Sequence, residues 1–344
     1  MSFDRQLITK KDVMPLMMEM NDYRIDIVIC TDKWFVMPTG VMMHSVCVNN
    51  PDVDIMFHAI HDDSVTSKDR RDLEETVMVF EGKSITFYHI DVTKFPCFPN
   101  ITIGVGVTQA SYYRLMLSEI LPKSILKVLY LDGDIIVRHS LLPLWNTDLK
   151  GHPVGVIPDF SEGNLEYYHR LNYPPGLGYF NSGVLLANLE YWREHDVVKD
   201  FFRILQDYSD RIQLHDQDVL NIAFSENKVI LPIKYNLMNG FLCKEAIQHD
   251  YREDEMEIEE SRRNPVIVHF TPGKPWMSYS RHPQHPFSST FFKYQSKTKW
   301  KGVKIDKRPF KLRVINYVAD MLRKYGLMPQ LPPCDEYIDI APID

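Results

Sequence analysis

The sharpest chemical feature of the chain is the run LYLDGDIIV at residues 129–137, in which Asp132 and Asp134 flank Gly133. Two carboxylates two apart on an extended chain point the same way, and these stand at the end of an apolar run, where open parallel sheets place their ligands. An isolated Asp-x-Asp is most often a solvated turn. Apolar residues on both sides change that reading, because paired carboxylates in a buried run must be neutralised. A hard divalent cation such as Mn2+ or Mg2+ suits these oxygens. Gly133 leaves room for a ligand to approach the backbone.

Three further constellations follow. In VIVHFTPGKPW, residues 266–276, His269 ends an apolar run, and a loop with Pro272, Gly273 and Pro275 presents Lys274. The imidazole can complete a divalent coordination sphere, and the lysine suits a phosphate as a point charge. A hydrogen-bonded strand histidine and a surface lysine remain the plainer alternative. In GYFNSGV, residues 178–184, Asn181 can bond a sugar hydroxyl and Gly183 permits close approach to a strand, although such a sequence also makes a bulge. In HDQDVLN, residues 215–221, a dense polar cluster opens an apolar helix, where Asp216 also fits a plain N-cap.

These residues need a frame. Residues 25–30, 53–60 and 84–90 read as strands, and residues 67–80 carry Leu73, Val77 and Phe80 at helical spacing. Strand, helix, strand repetition predicts an α/β fold with a mainly parallel sheet flanked by helices. Further helices are predicted at 109–121, 190–208 and 216–225, and strands at 125–131, 135–137, 184–189 and 266–270. Residues 250–263, acidic and then arginine-rich, read as a surface excursion.

Composition sets the outer bounds. With 344 residues, 44% hydrophobic and 25% charged, the chain fills one large domain with an appendage or two medium ones, and collagen, coiled coil and wholesale disorder are excluded. A formal charge of −7 argues against nucleic acid as a partner. Between Lys297 and Lys324, however, ten Lys/Arg stand against Asp306 and Asp320, so this stretch carries +8 and the remainder −15. Pro309 sits where a helix would start, with Leu312, Ile315, Ala319 and Leu322 on one face. The stretch predicts a basic amphipathic appendage that meets an anionic membrane surface or packs on the domain, with Trp300 and Tyr317 suited to an interface. Five cysteines without CxxC spacing predict reduced thiols and a cytoplasmic setting. The N-terminus lacks a signal-peptide core, and no apolar stretch reaches membrane-spanning length.

Taken in order, the first strand ending in Cys30-Thr31-Asp32, the arginine-bearing helix, YLDGD, FNSGVLL, DQDVLN and the HF-loop-KPW run resemble the family 8 retaining glycosyltransferases. That group contains bacterial lipopolysaccharide galactosyl- and glucosyltransferases and resembles glycogenin. The resemblance covers roughly residues 24–277. It implies a GT-A fold, a UDP-galactose or UDP-glucose donor, a glycan or glycolipid acceptor, and Mn2+ or Mg2+. Position by position it implies Asp132, Asp134 and His269 as metal ligands, and Cys30, Thr31, Asp32, Gly133, Gly273 and Lys274 at the nucleotide, with Asp32 on the base. Arg114, Asp132, Asn181, Asp216 and Gln217 match donor-sugar contacts, with Gln217 near the anomeric carbon and Asp216 beside it. Two departures stand out: Trp34 replaces a polar residue near the nucleotide, and the loop from His269 to Lys274 is one residue shorter than in some relatives. The implied organisation is an N-terminal extension (1–23), a glycosyltransferase domain (24–280) and a basic C-terminal region (281–344). The rival readings are a glycogenin-like or protein-directed transferase and a sugar-nucleotide-binding protein without turnover.

Overall fold

A computed structural model describes residues 24–95, 109–243, 255–271, 273–277, 285–305, 310–328 and 337. The expected N-terminal extension, Pro272 and Pro309 lie outside these residues. Among the described residues ten strands form in chain order: β1 (Arg24–Thr31), β2 (Asp54–His61), β3 (Lys83–His89), β4 (Lys127–Leu131), β5 (Ile135–Val137), β6 (Val154–Pro158), β7 (Phe180–Asn188), β8 (Val229–Ile230), β9 (Leu237–Met238) and β10 (Ile267–His269). A seven-stranded sheet has the order β3-β2-β1-β4-β7-β6-β8. Its first four strands pair in parallel, while β7 runs antiparallel to both neighbours. Chain order reverses at β1, which lies between β2 and β4, and so opens a crevice at the carboxyl ends of the strands.

Strand β1 is apolar on both faces, as a strand covered from both sides must be. Ile25, Ile27 and Ile29 enter one core cluster, Val28 and Cys30 the other. Helix α1 (Val36–Asn49) has no polar face, being buried from Val36 through Cys47, and its lack of helical period hides it from a reading of the sequence. Helix α2 (Ser67–Met78) is found as predicted, opened by a capping box between Thr66 and Asp69. The helix expected at 109–121 is instead a 3-10 segment, Gln109–Met116, with one α-turn after it. There the Ser111 carbonyl turns to accept from Arg114 Nε at 3.0 Å.

Helix α3 (Leu165–Leu171) follows β6. The single helix expected over 190–208 is two, α4 (Leu189–Glu194) and α5 (Val197–Asp207), broken at Asp196 with its φ of 52°. Helix α6 (Asp216–Ala223) follows. Within the expected surface excursion, residues 250–254 lie outside the description, and the rest forms α7 (Glu255–Arg263). Its Ile258, Ser261 and Arg262 are buried, and Arg262 Nε donates to the Phe241 carbonyl at 2.6 Å.

The core runs across the expected boundary at residue 280. Helix α8 (Ser288–Gln295) buries Phe291, which with Phe287 packs into the same cluster as Trp276. Trp300 lies directly over Gly40 of α1, where a side chain would collide with the indole. It therefore packs on α1. Helix α9 (Phe310–Lys324) does leave Val314, Ile315, Tyr317, Val318 and Met321 exposed. No helix among the described residues is long and apolar enough to cross a membrane.

What positions the site is the crossing between two sheets. Only Asp132, Gly133 and Asp134 separate β4 from β5, and over those residues the chain leaves the large sheet for a small one of order β5-β10-β9. Asp132 N donates to the Gly183 carbonyl at 2.8 Å, extending the β4–β7 ladder, and Phe270 N donates to the Asp134 carbonyl at 3.0 Å, extending β5–β10.

Candidate active site

Antiparallel pairing of β10 with β5 sets His269 opposite Ile135, next to the two carboxylates. Ligand atoms of Asp132, Asp134 and His269 all lie within 4.8 Å of one another, the one such group of three among the described residues. His269 Nε2 is 3.3 Å from Asp134 Oδ1 and 3.9 Å from Asp132 Oδ2. It is buried and makes no hydrogen bond.

The tautomer of His269 follows from a backbone amide. Gly183 N–H must donate, and it does so to Asn181 Oδ1 at 2.9 Å; that oxygen also accepts from Asn236 Nδ2 at 2.9 Å. Asn236 Oδ1 therefore faces His269 Nδ1, at 2.9 Å, and accepts its proton. The lone pair is left on Nε2, aimed at the carboxylates. Two hard oxygens and an imidazole nitrogen, one of them an orphaned buried atom, fit a divalent cation. Gly183 is also required for space, since a Cβ there would stand 2.9 Å from both Asp132 Oδ2 and His269 Nδ1.

Arg114 is the hub of the inner wall. Its guanidinium donates to Asp132 Oδ1 at 2.8 Å and to the Ser182 carbonyl at 2.6 Å, and pairs with Asp216 Oδ2 at 3.0 Å. Burial alone would lower its pKa, but Asp132 and Asp216 outweigh that and hold it above the usual value. Tyr130 Oη also donates to Asp132 Oδ1, at 2.7 Å, so Oδ2 is the oxygen turned towards His269. Burial raises the Asp216 carboxyl, with Asp132 adding to it and Arg114 opposing. For Asp134 burial acts in the same direction, yet Lys274, in direct ion pair, holds it well below the carboxylate range.

Gln217 is locked as well. Its Oε1 accepts from Ser182 N at 3.1 Å and Asn181 Nδ2 at 3.0 Å, and its Nε2 donates to Asp159 Oδ2 at 3.2 Å. These groups surround a cavity of about 330 Å3. Of the residues singled out in the sequence, Cys30, Arg114, Asp132, Gly133, Asp134, Asn181, Asp216, Gln217, His269 and Lys274 line it, and Thr31, Asp32 and Gly273 do not. Cys30 is a buried thiol whose pKa burial pushes up. Asp32 Oδ1 accepts from Trp34 N and Phe35 N at 2.8 and 3.1 Å, closing the turn into α1. Gly273 has a φ of 73°, which suits glycine. Gly133 serves packing too: a Cβ there would meet Thr39 of α1. Trp34 lines a separate shallow cavity with Lys33, Asp69 and Trp300.

Sequence reasoning did not single out Asn236 and Asp159, which fix His269 and Gln217. The available signal was a polar residue in or just after an apolar run, as in PIKYNLM and VGVIPD.

A twisted, mainly parallel sheet with its crevice at an Asp-x-Asp crossing defines a glycosyltransferase of the GT-A fold. The chain belongs to glycosyl transferase family 8, whose sequence model matches residues 26–280. It is 28% identical over 287 residues to general stress protein A of Bacillus subtilis (strain 168), covering 82% of this chain and 96% of that protein. It is also 28% identical over 277 residues to the lipopolysaccharide 1,3-galactosyltransferase of Salmonella typhimurium, covering 78% of this chain and 77% of the relative. The crystal structure of the galactosyltransferase LgtC with donor and acceptor sugar analogs superposes with a TM-score of 0.70 at 28% identity, covering 84% of this chain and 99% of that one.

Proposed function

We propose that the protein is a metal-dependent retaining glycosyltransferase that moves galactose or glucose from a UDP-sugar to a glycan or glycolipid acceptor in cell-surface polysaccharide or lipopolysaccharide biosynthesis. The observation that carries this reading is the convergence of Asp132, Asp134 and a His269 whose Nε2 is free and fixed. These three would hold Mn2+ or Mg2+, which when bound supplies Lewis-acid stabilisation of the charge gathering on the departing diphosphate. Lys274 adds a positive charge at the same place. Cys30, Thr31 and Asp32 at the carboxyl end of β1 are assigned to the nucleoside, with Asp32 as the partner of the base.

Arg114, Asn181, Asp216 and Gln217 are assigned to the transferred sugar. Gln217 Oε1 already accepts two hydrogen bonds, which supports a role in holding the anomeric centre rather than attacking it. Attack by the acceptor hydroxyl on the face the phosphate leaves, with that phosphate taking the proton, accounts for retention without a covalent adduct. A nucleophilic Asp216 is the minority version. Its carboxylate is ion-paired with Arg114.

The exposed apolar residues of α9, flanked by Lys311, Arg313 and Lys324, support peripheral binding to an anionic leaflet on the cytoplasmic side. The test of the catalytic reading is a panel of UDP-sugars assayed for hydrolysis with and without Mn2+. One UDP-hexose is expected to turn over, with the rate abolished by chelator and lowered by orders of magnitude in Asp134→Asn. Full activity of that variant, or turnover independent of metal, refutes the reading.

A further inference from the structure

His215 immediately precedes α6 and lines the central cavity beside Asp216 and Gln217. Its backbone sits at φ 56°, ψ −130°, and Gln217 N donates to the Leu214 carbonyl at 3.1 Å. Residues 214–217 thus form a turn whose first central position has type II′ geometry, which belongs to glycine. A histidine there is strained. The strain is held in place by Asp218, which is fully buried. Its Oδ2 accepts from Gln213 N at 2.7 Å, Leu214 N at 2.8 Å and Arg170 Nη1 at 2.6 Å, while Oδ1 accepts from Arg170 Nη2 at 3.1 Å and Tyr179 Oη at 2.7 Å. Glycine would satisfy the same turn without strain, so the backbone gives no reason for a side chain at this position.

The side chain itself is oriented. Tyr112 Oη lies 3.4 Å from His215 Nδ1, with the two rings edge to face at 6.1 Å. Burial, with Asp216 and Asp218 nearby, raises the Tyr112 phenol, which stays protonated and able to donate to Nδ1. A Tyr112 hydroxyl that donates to Nδ1 leaves the imidazole proton on Nε2, which makes no hydrogen bond among the described residues.

We propose that His215 is a sugar-recognition residue: its Nε2–H donates to a hydroxyl of a sugar in the cavity, and the strained turn persists because it delivers that contact. The inference rests on the glycosyltransferase reading and deepens it. A hydroxyl of the transferred hexose and one of the acceptor offer the same chemistry, and two assays separate them. Hydrolysis of the UDP-hexose reports the donor alone, and transfer to a sugar acceptor reports both.

The experiment compares His215→Gly, His215→Ala and His215→Asn in the full chain. His215→Gly relieves the turn and is expected to raise Tm by roughly 1–4 °C, while His215→Ala keeps the strain and does not. Both are expected to lower kcat/KM about 5- to 20-fold, the size of one lost hydrogen bond to a neutral group. Loss in hydrolysis and transfer together assigns the contact to the donor; loss in transfer alone assigns it to the acceptor. His215→Asn, whose amide can still donate, should recover part of what His215→Ala loses. A His215→Gly enzyme with wild-type kcat/KM in both assays overturns the contact, and one with unchanged Tm overturns the strain argument. A wild-type chain that turns over no UDP-sugar refutes the functional reading itself, and the contact with it.

Discussion

Replacing Gly183 by alanine tests whether the site is as tightly closed as its geometry says. An added Cβ would stand 2.9 Å from His269 Nδ1 and from Asp132 Oδ2, and closer still to His269 Cε1. Ordinary contacts of carbon with such atoms begin near ~3.5 Å, so the ring or the carboxylate must retreat by about 0.5–1 Å. Neither is free to do so. His269 lies in β10 between β5 and β9, with Nδ1 tied to Asn236, and Gly183 lies in β7 between β4 and β6. Gly183 is not at a positive φ, so alanine meets no backbone penalty and the effect is steric. Overpacking of this kind costs about 1–3 kcal/mol, which a domain of this size survives. Metal ligands, however, tolerate only about 0.2 Å of displacement, and a 1 Å misplacement at a reacting centre costs about 100-fold. Gly183→Ala should therefore keep its circular dichroism spectrum, bind Mn2+ at least about tenfold more weakly by calorimetric titration, and hydrolyse UDP-hexose about 100-fold more slowly. Wild-type Mn2+ affinity and turnover in that variant would show that the cation is not seated between Asp132 and His269.

Two further outcomes follow from buried side chains. Asn236→Leu removes the acceptor that fixes the His269 tautomer and should weaken Mn2+ binding by about 10- to 100-fold, whereas Asn236→Asp, which keeps an acceptor for Nδ1 but loses the donor to Asn181 Oδ1, should bind it more tightly than Asn236→Leu; equal affinities in the two variants would discard the tautomer argument. His285 is buried among Phe270, Phe287 and Tyr337, and burial lowers its pKa to about 3. The unfolded chain, with a histidine near 6.5, takes up a proton that the folded chain refuses as pH falls from 6.5 towards 3. Stability is thus fully present above 6.5 and declines below it, by up to about 5 kcal/mol from this group. Urea midpoints for the wild type and His285→Phe should converge near neutrality and separate at pH 5, the variant being the more resistant; parallel curves would show that His285 does not titrate on unfolding.

The residues that carry chemistry were legible in the sequence because each bounds an apolar run: Asp132 after β4, His269 at the end of β10, Asn181 at the start of β7. A polar group at such a place has to be satisfied or used. Helix α1 was not legible because its period is erased by burial on every side. It lies under Trp300 and Tyr294 of the C-terminal region, so the same contacts that hide it also bind residues beyond 280 to the catalytic core. Asn236 and Asp159 were not legible for a different reason. Asn236 acts on His269, 33 residues away, and Asp159 on Gln217, 58 away, so their roles exist only after strands and helices have paired. The break at Asp196 belongs to a third kind, in which one left-handed residue interrupts a pattern whose apolar spacing continues through it.

The three metal-type residues come from two sheets, and that division explains why a glycine governs them. Asp132 is set by the large sheet through its amide bond to the Gly183 carbonyl, while Asp134 and His269 are set by the small sheet through β5–β10 pairing. Side chains held by different sheets keep a fixed spacing only if something rigid joins the two. Gly183 does so from both ends of its peptide: its carbonyl holds Asp132, and its N–H, through Asn181 and Asn236, orients His269. The absent Cβ is what allows the backbone to stand close enough for both. A substitution at position 183 therefore alters ligand spacing and histidine orientation together, whereas Asn236→Leu alters orientation alone. The losses in Mn2+ affinity of Gly183→Ala and Asn236→Leu should accordingly not add, the double variant falling short of the sum, because the two act on one shared ligand.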